Sequence, residues 1–301
     1  LLALGWGHRV LGRMPQAPPG RLRLDVPGNL TAAALLVLLL GALTLAPDRG
    51  WTDPWVVAGL ASGCGLLPLL WRLQLHAPHP VLDPALLREP GFARGLLAGF
   101  LVSSPRLGIV VAGGLYFQGL HGTSALEAAG HVTVAAAGLT AGALVADSLA
   151  GRLAARRVGL ASAALSVVGL VLLAAAVDGP GGSTGAFTVG LAMVGLGTGI
   201  FHPLNVSALM RGVPADRAGR VNAVRVTLQS TSLALATALS LALAVAFVGP
   251  QAAEAFVSGD PASLSAGDVD GIVLGHRVLF GLFAALVVAG AAVTAGRQRP
   301  R

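Results

Sequence analysis

Several polar residues stand inside long apolar stretches, where solvation by water cannot account for them. Arg106 follows Ser103, Ser104 and Pro105 and precedes an apolar run. An arginine near the centre of a membrane helix costs at least about 2.5 to 3.5 kcal/mol, so it must face a watery cavity or the bundle interior and find a partner. Two partners fit: an anionic group in a cavity, or backbone carbonyls freed beside the Pro105 kink. His202 lies three residues before Asn205, so both can face one side of a helix. Histidine titrates near neutral pH and can take part in proton coupling, although such a pair can equally hold two membrane helices together. His131, one turn into its own stretch, is a second proton-coupling candidate. Asn222, Arg225 and Gln229 repeat every three to four residues and form one helical stripe. Arg225 is near enough to the helix start to act as an anchor, whereas Gln229 is deeper and is expected to see a cavity.

Other chemistries lack their residues. His76 and His79 are spaced like a metal pair, but only Asp83 is nearby and Cys64 is the only cysteine, so no metal site is expected. Asn29-Leu30-Thr31 matches a glycosylation sequon on what reads as the cytoplasmic side and is taken as chance. No phosphate loop, serine-nucleophile elbow or paired catalytic carboxylates are evident, and no cofactor is implied. The chain does not read as an enzyme.

The elements that position these residues follow from hydropathy. Hydrophobic residues make up 54% of the chain, charged residues only 11%, and the mean hydropathy is +0.77. That is too few charges to clothe a surface in water, since a soluble domain carries about 25%. Apolar blocks cover 29–46, 53–71, 92–118, 127–147, 158–177, 186–209, 220–248 and 272–296, lengths that suit about 30 Å of hydrocarbon. The expected fold class is therefore an all-α integral membrane bundle of about eight transmembrane helices. Pro68, Pro105 and Pro203 fall inside blocks and are kink candidates, because neighbouring helices can satisfy the freed carbonyls.

All 20 basic residues are arginine and scatter through short loops, so the net charge of +7 does not imply nucleic-acid binding. Sixteen arginines fall in one set of alternate segments, while the other set holds only Arg49 and Arg277 beside most of the acidic residues. Positive charge is retained on the cytoplasmic side, which places both ends there. The loop 249–271, rich in Ala, Ser, Asp and Gly, is expected to be mobile rather than folded. None of the eight blocks holds a carboxylate deep inside it, since Glu127 and Asp147 lie at helix ends. Any proton transfer through such a bundle would then fall to a histidine or to a residue outside this sequence.

Several stretches resemble the fourteen-helix drug:proton antiporter branch of the major facilitator superfamily. Gly50-Trp51-Thr52-Asp53-Pro54 resembles the external turn between that branch's two extra central helices, and Pro80-Val81-Leu82-Asp83-Pro84-Ala85-Leu86-Leu87 its link into the C-terminal half. Leu115-Tyr116-Phe117-Gln118 resembles the outer end of the next helix and adds Gln118 to the cavity candidates. Gly195-Leu196-Gly197-Thr198-Gly199 with Phe201 and Pro203, then Gly212-Val213-Pro214-Ala215-Asp216-Arg217-Ala218-Gly219, resembles the penultimate inward loop and its preceding helix. Gly151-Arg152-Leu153-Ala154-Ala155-Arg156-Arg157-Val158-Gly159 resembles the superfamily's Gly-x-x-x-Asp-Arg-x-Gly gating loop. Ala155 replaces its Asp, and Asp147 is the substitute partner for the arginines; the same arginines can equally do no more than enforce topology.

The resemblance implies this organisation: 1–28, the end of a truncated helix and a cytoplasmic linker; 29–71, the two extra central helices; 72–91, a cytoplasmic linker; 92–296, the C-terminal six-helix half; 297–301, a cytoplasmic tail. It also implies proton-coupled efflux of amphipathic or cationic small molecules, driven by the proton gradient across a cell membrane. The partners are then the lipid bilayer, a small-molecule substrate and an N-terminal six-helix half absent from this sequence. A non-transporting membrane scaffold or sensor built on the same bundle is the alternative. Gly195, Gly197 and Gly199 are expected to pack helices closely.

With Cys64 replaced, a cysteine at Ser265 should react with a membrane-impermeant thiol reagent only from outside the cell, and one at Ala154 only from inside. Labelling of either from the wrong side would contradict the arginine-based orientation.

Overall fold

A computed structural model describes residues 25–77, 87–180, 184–211, 213 and 215–296. Expectations that rest on 1–24, 78–86 and 297–301, including the terminal segments, His79 and most of the Pro80–Leu87 link, lie outside the described residues. No strand occurs among the described residues. The helices are α1 (Val26–Arg49), α2 (Pro54–His76), α3 (Pro90–Ser103), α4 (Pro105–Leu115), α5 (Ala125–Arg152), α6 (Ala155–Ala176), α7 (Thr184–Met210), α8 (Ala215–Ala244), α9 (Pro250–Ser258) and α10 (Ala266–Ala295). Eight spans are long and apolar enough to cross a membrane, with α3, α4 and the following π-helical turn (Tyr116–Leu120) forming one of them. The chain is a multi-pass helical membrane bundle.

Most helices run about a turn beyond their apolar blocks, because polar caps extend them. Asp53 accepts from the Trp55 amide, and Pro54 opens α2 with its φ already suited to a helix. Ser124 with Glu127, and Ser265 with Asp268, form reciprocal capping boxes at the starts of α5 and α10. Asp25 accepts from the Gly28 amide at 2.9 Å and from Nε2 of the buried Gln74 at 2.6 Å, which caps α1 and ties it to the last turns of α2. The expected break at 92–118 is sharper than a kink, since Pro105 ends one helix and begins another, while Pro68 and Pro203 sit within continuous helices.

The loop 249–271 is not the mobile segment its composition suggested. It folds into α9 and a single 3-10 turn at Pro261–Ser263, and Phe256 of α9 is fully buried against Gly119. One aromatic anchor outweighs the polar residues around it.

Bundle packing is closest between α5 and α7. A side chain at Gly195 or Gly199 would run into the carbonyls of Ala135 or Leu139, and one at Gly138 or Gly142 would come within 2.6 or 2.5 Å of the Ala192 or Leu196 carbonyls. Each helix therefore offers two glycines four residues apart to the other's backbone. Gly197 points away from this contact: its missing Cβ would lie 2.5 Å from the Ser162 carbonyl of α6. Two arginines join α6 to α10, which runs antiparallel to it. Arg277 donates to the Val177 carbonyl at the end of α6 at 3.1 Å, and Arg156 at the start of α6 donates to the Ala295 carbonyl at the end of α10.

Replacing Gly199 or Gly197 by leucine should sharply lower the folded yield in mild detergent, because the obstacle is backbone that cannot rotate away. Gly281→Leu, at an exposed site with open space, should leave the yield near that of the parent. Equal yields for all three would show that the glycine contacts do not hold the bundle.

Candidate functional site

The break at Ser104–Pro105 is where the site begins. Proline has no N–H, so the Leu101 carbonyl loses its helical partner, and Ser104 Oγ donates to it at 2.8 Å. The Phe100 carbonyl is reached instead by Ser232 Oγ of α8 at 2.7 Å. Ser240 Oγ lies 3.0 Å from the Gly108 carbonyl, so two serines eight residues apart on α8 meet two carbonyls eight residues apart on α3 and α4. Serines thus do the work that Arg106 would do in its structural reading. Arg106, on the first turn of α4, is half-buried and bonds to none of the described residues.

Beside this break, α3, α7 and α8 line a partly open cleft whose empty space, open solvent included, is about 280 Å³. Leu96, Gly99, Phe100 and Ser103 line it from α3; His202, Asn205, Val206 and Leu209 from α7; Arg225, Leu228 and Gln229 from α8. These residues lie in the halves of the three spans nearest Arg94, Arg211 and Arg225. Three sequence-predicted cavity residues, His202, Asn205 and Gln229, meet here. Asn222, Arg225 and Gln229 form the expected stripe: Arg225 Nε and one terminal nitrogen donate to Asn222 Oδ1 at 3.2 and 2.9 Å, and the other terminal nitrogen to Gln229 Oε1 at 3.1 Å. That clamp holds Arg225, expected as an interface anchor, where it also lines the cavity. Gly99 makes room for the Asn205 amide, which a Cβ there would meet at 2.6 Å. Arg106 does not line the cavity but stands three residues beyond Ser103, which does.

The other candidates are elsewhere. Gln118 is in the π-helical turn at the acidic end, where its amide donates to the Gly114 carbonyl at 3.2 Å. His131 is also at that end, stacked on Phe117 with ring centres 4.3 Å apart. Its Nδ1 is 3.0 Å from Thr188 Oγ1, and Thr188 gives its one hydroxyl proton to the Thr184 carbonyl, so His131 is the donor. Around them Tyr116 stacks on Phe187 at 4.2 Å and meets His121 edge-on at 4.8 Å, with His276, Phe280 and Phe256 completing a closed aromatic layer.

Sequence reasoning missed His121 and His276. His276 is fully buried; its Nδ1 is 2.9 Å from the Ile272 carbonyl and must carry a proton, while its Nε2 and that of His121 have no partner among the described residues. The available signal was one helical face, since His276 lies four residues after Ile272 and four before Phe280.

The gating positions are on helices rather than in a loop. Asp147, Gly151 and Arg152 belong to the last turns of α5, Arg156, Arg157 and Gly159 to the start of α6, and only Leu153 and Ala154 connect them. Asp147 is exposed and forms no ion pair with Arg152, Arg156 or Arg157 among the described residues. No cluster of His, Cys, Asp and Glu among the described residues could hold a metal ion.

The model of the Major Facilitator Superfamily matches residues 28–237. The chain is 34% identical over 106 residues to a methylenomycin A resistance protein of Streptomyces coelicolor, covering 35% of this chain and 22% of that protein. It is 33% identical over 165 residues to a cephamycin export protein of Amycolatopsis lactamdurans (54% and 34% covered). To a probable actinorhodin transporter of S. coelicolor it is 27% identical over 242 residues (78% and 41% covered). The chain spans about a fifth to two fifths of the length of these curated relatives.

At the acidic end, desolvation first and the nearby His131 second hold the His121 imidazole below its ordinary pKa of 6.5. Folding therefore favours the neutral ring, and this contribution is complete above pH 6.5 and lost as pH falls below it. The melting temperature in detergent should drop between pH 7.5 and pH 5, and His121→Gln should flatten part of that drop; an unchanged pH profile would remove His121 from the account.

Proposed function

This chain belongs to the Major Facilitator Superfamily, a family of membrane transporters, and from that premise we propose that it forms one wall of a proton-coupled efflux path for amphipathic small molecules. The observation that carries the reading is the cavity between α3, α7 and α8, where His202, Asn205, Arg225 and Gln229 converge beside apolar side chains. A few placed polar groups in an otherwise apolar concavity are what binding of an amphipathic molecule needs. The cleft is partly open, which suits one wall of a path whose other wall comes from a further six-helix half. On this reading α1 and α2 are the extra central pair of the fourteen-helix branch. The names of the relatives, resistance to methylenomycin A and export of cephamycin, support export of small molecules.

The arginine asymmetry supports an orientation with both ends in the cytoplasm of a cell membrane, so the cavity loads from inside while the aromatic layer closes the outer end. The described spans α3 to α8 contain no carboxylate midway along them, so a proton carrier is either a histidine of this chain or a residue of the further six-helix half. His202 lies in the cavity, and His131, with His121 and His276, lies at the outer end.

Reconstituted with both halves in proteoliposomes, the transporter should show proton flux that depends on substrate. Gly99→Leu should fill the cavity beside Asn205 and abolish that flux with folding retained, and His202→Gln should uncouple substrate movement from protons. Undiminished flux in both variants would place the path elsewhere.

A further inference from the structure

Resting on that reading of the cavity, we infer that its selectivity is for anions: it receives the negatively charged group of an amphipathic organic acid, with Arg225 as the anchor and Arg106 as a second positive charge.

The lining residues include one formal charge, Arg225, and no Asp or Glu. Arg225 is held by two amide oxygens, which are neutral, so its charge is positioned but not compensated. A guanidinium has five N–H donors and three are used, which leaves two for a ligand. Its planar fork suits a carboxylate or phosphate better than any neutral group. The clamp also sets the amides. Gln229 and Asn222 each turn an oxygen toward Arg225, so each leaves its NH2 group outward as a donor. Asn205 across the cavity makes no side-chain hydrogen bond among the described residues and is free to join them.

Arg106 adds to the same field. It is half-buried, makes no ion pair among the described residues, and stands three residues beyond Ser103, which lines the cavity. Two uncompensated cations in a site of low dielectric are unfavourable until an anion arrives, and a cationic ligand would add to the repulsion. Leu96, Phe100, Val206, Leu209 and Leu228 supply the apolar surface for the body of the acid. The cavity therefore asks for a molecule with one anionic end and an apolar remainder.

Three naphthalene probes of nearly equal shape separate the possibilities: 2-naphthoate, 2-naphthamide and 2-naphthylmethylammonium. Each is titrated by equilibrium dialysis against the 301-residue chain in nanodiscs of neutral lipid, with empty nanodiscs subtracted. Naphthoate should bind at least about tenfold more tightly than the other two. Arg225→Gln and Arg106→Gln should each weaken naphthoate about tenfold while leaving naphthamide within about twofold, and Arg225→Lys should lie between parent and Gln because it keeps the charge without the fork. Tightest binding by the ammonium probe, equal binding by all three, or naphthoate affinity untouched by both Gln variants would overturn the anion assignment and leave the cavity standing. No binding of any probe above the empty nanodiscs would overturn the cavity as a binding site, and this proposal with it. Because the three probes are first compared on the unmodified chain, a variant that fails to fold does not remove the test.

Discussion

Hydrocarbon offers no hydrogen bonds, and much of this structure follows from what each polar backbone group does instead. Where Pro105 removes a donor, Ser104 and Ser232 take up the carbonyls of Leu101 and Phe100. Where α6 ends, Arg277 bonds the Val177 carbonyl and the Tyr116 hydroxyl lies 3.5 Å from the Ala176 carbonyl. The same demand explains the close approach of α5 and α7. With little hydrophobic gain from joining two apolar helices in lipid, packing contact is what associates them, and glycines at 138, 142, 195 and 199 permit it. Because serines and caps settle the backbone, the larger polar side chains of the site are left for other partners.

The spans were legible in the sequence because the bilayer demands length and apolarity from each segment independently, and neither depends on tertiary contact. The arginine asymmetry was legible for the same reason. Less could be read where contact decides. The composition of 249–271 resembles a flexible loop, yet Phe256 pins it through a residue far away in sequence, Gly119. Pro68, Pro105 and Pro203 look alike in a hydropathy profile, but only Pro105 interrupts its helix, beside serines that can accept the consequence.

The candidate site shows the same division. The spacings of His202 with Asn205, and of Asn222, Arg225 and Gln229, are properties of single helices and could be read directly. That α7 and α8 face one another across Gly99 is a property of the bundle, and so is the separation of Gln118 and His131 from them at the other end. Arg225 was read as an interface anchor because position along a helix is visible in sequence whereas rotation toward a cavity is not. His276 was passed over because its one sequence signal, a helical face shared with Ile272 and Phe280, does not tell of the rings of Tyr116 and Phe256 that other segments bring to it.

The paired arginine contacts between α6 and α10 act as a length gauge. Arg156, on the first turn of α6, reaches the last carbonyl of α10, and Arg277, three turns into α10, reaches the carbonyl that follows α6, so the two contacts lie about as far apart on one helix as on the other. Sliding either helix by one residue, about 1.5 Å, would draw one arginine away from its carbonyl while driving the other past its own. Axial slip is thus opposed in both directions, whereas tilting the two together disturbs neither contact. Any rearrangement that opens or closes the cavity must carry α6 and α10 as a single strut, with the relative motion taken up at the broken α3–α4 segment on the other side of α10.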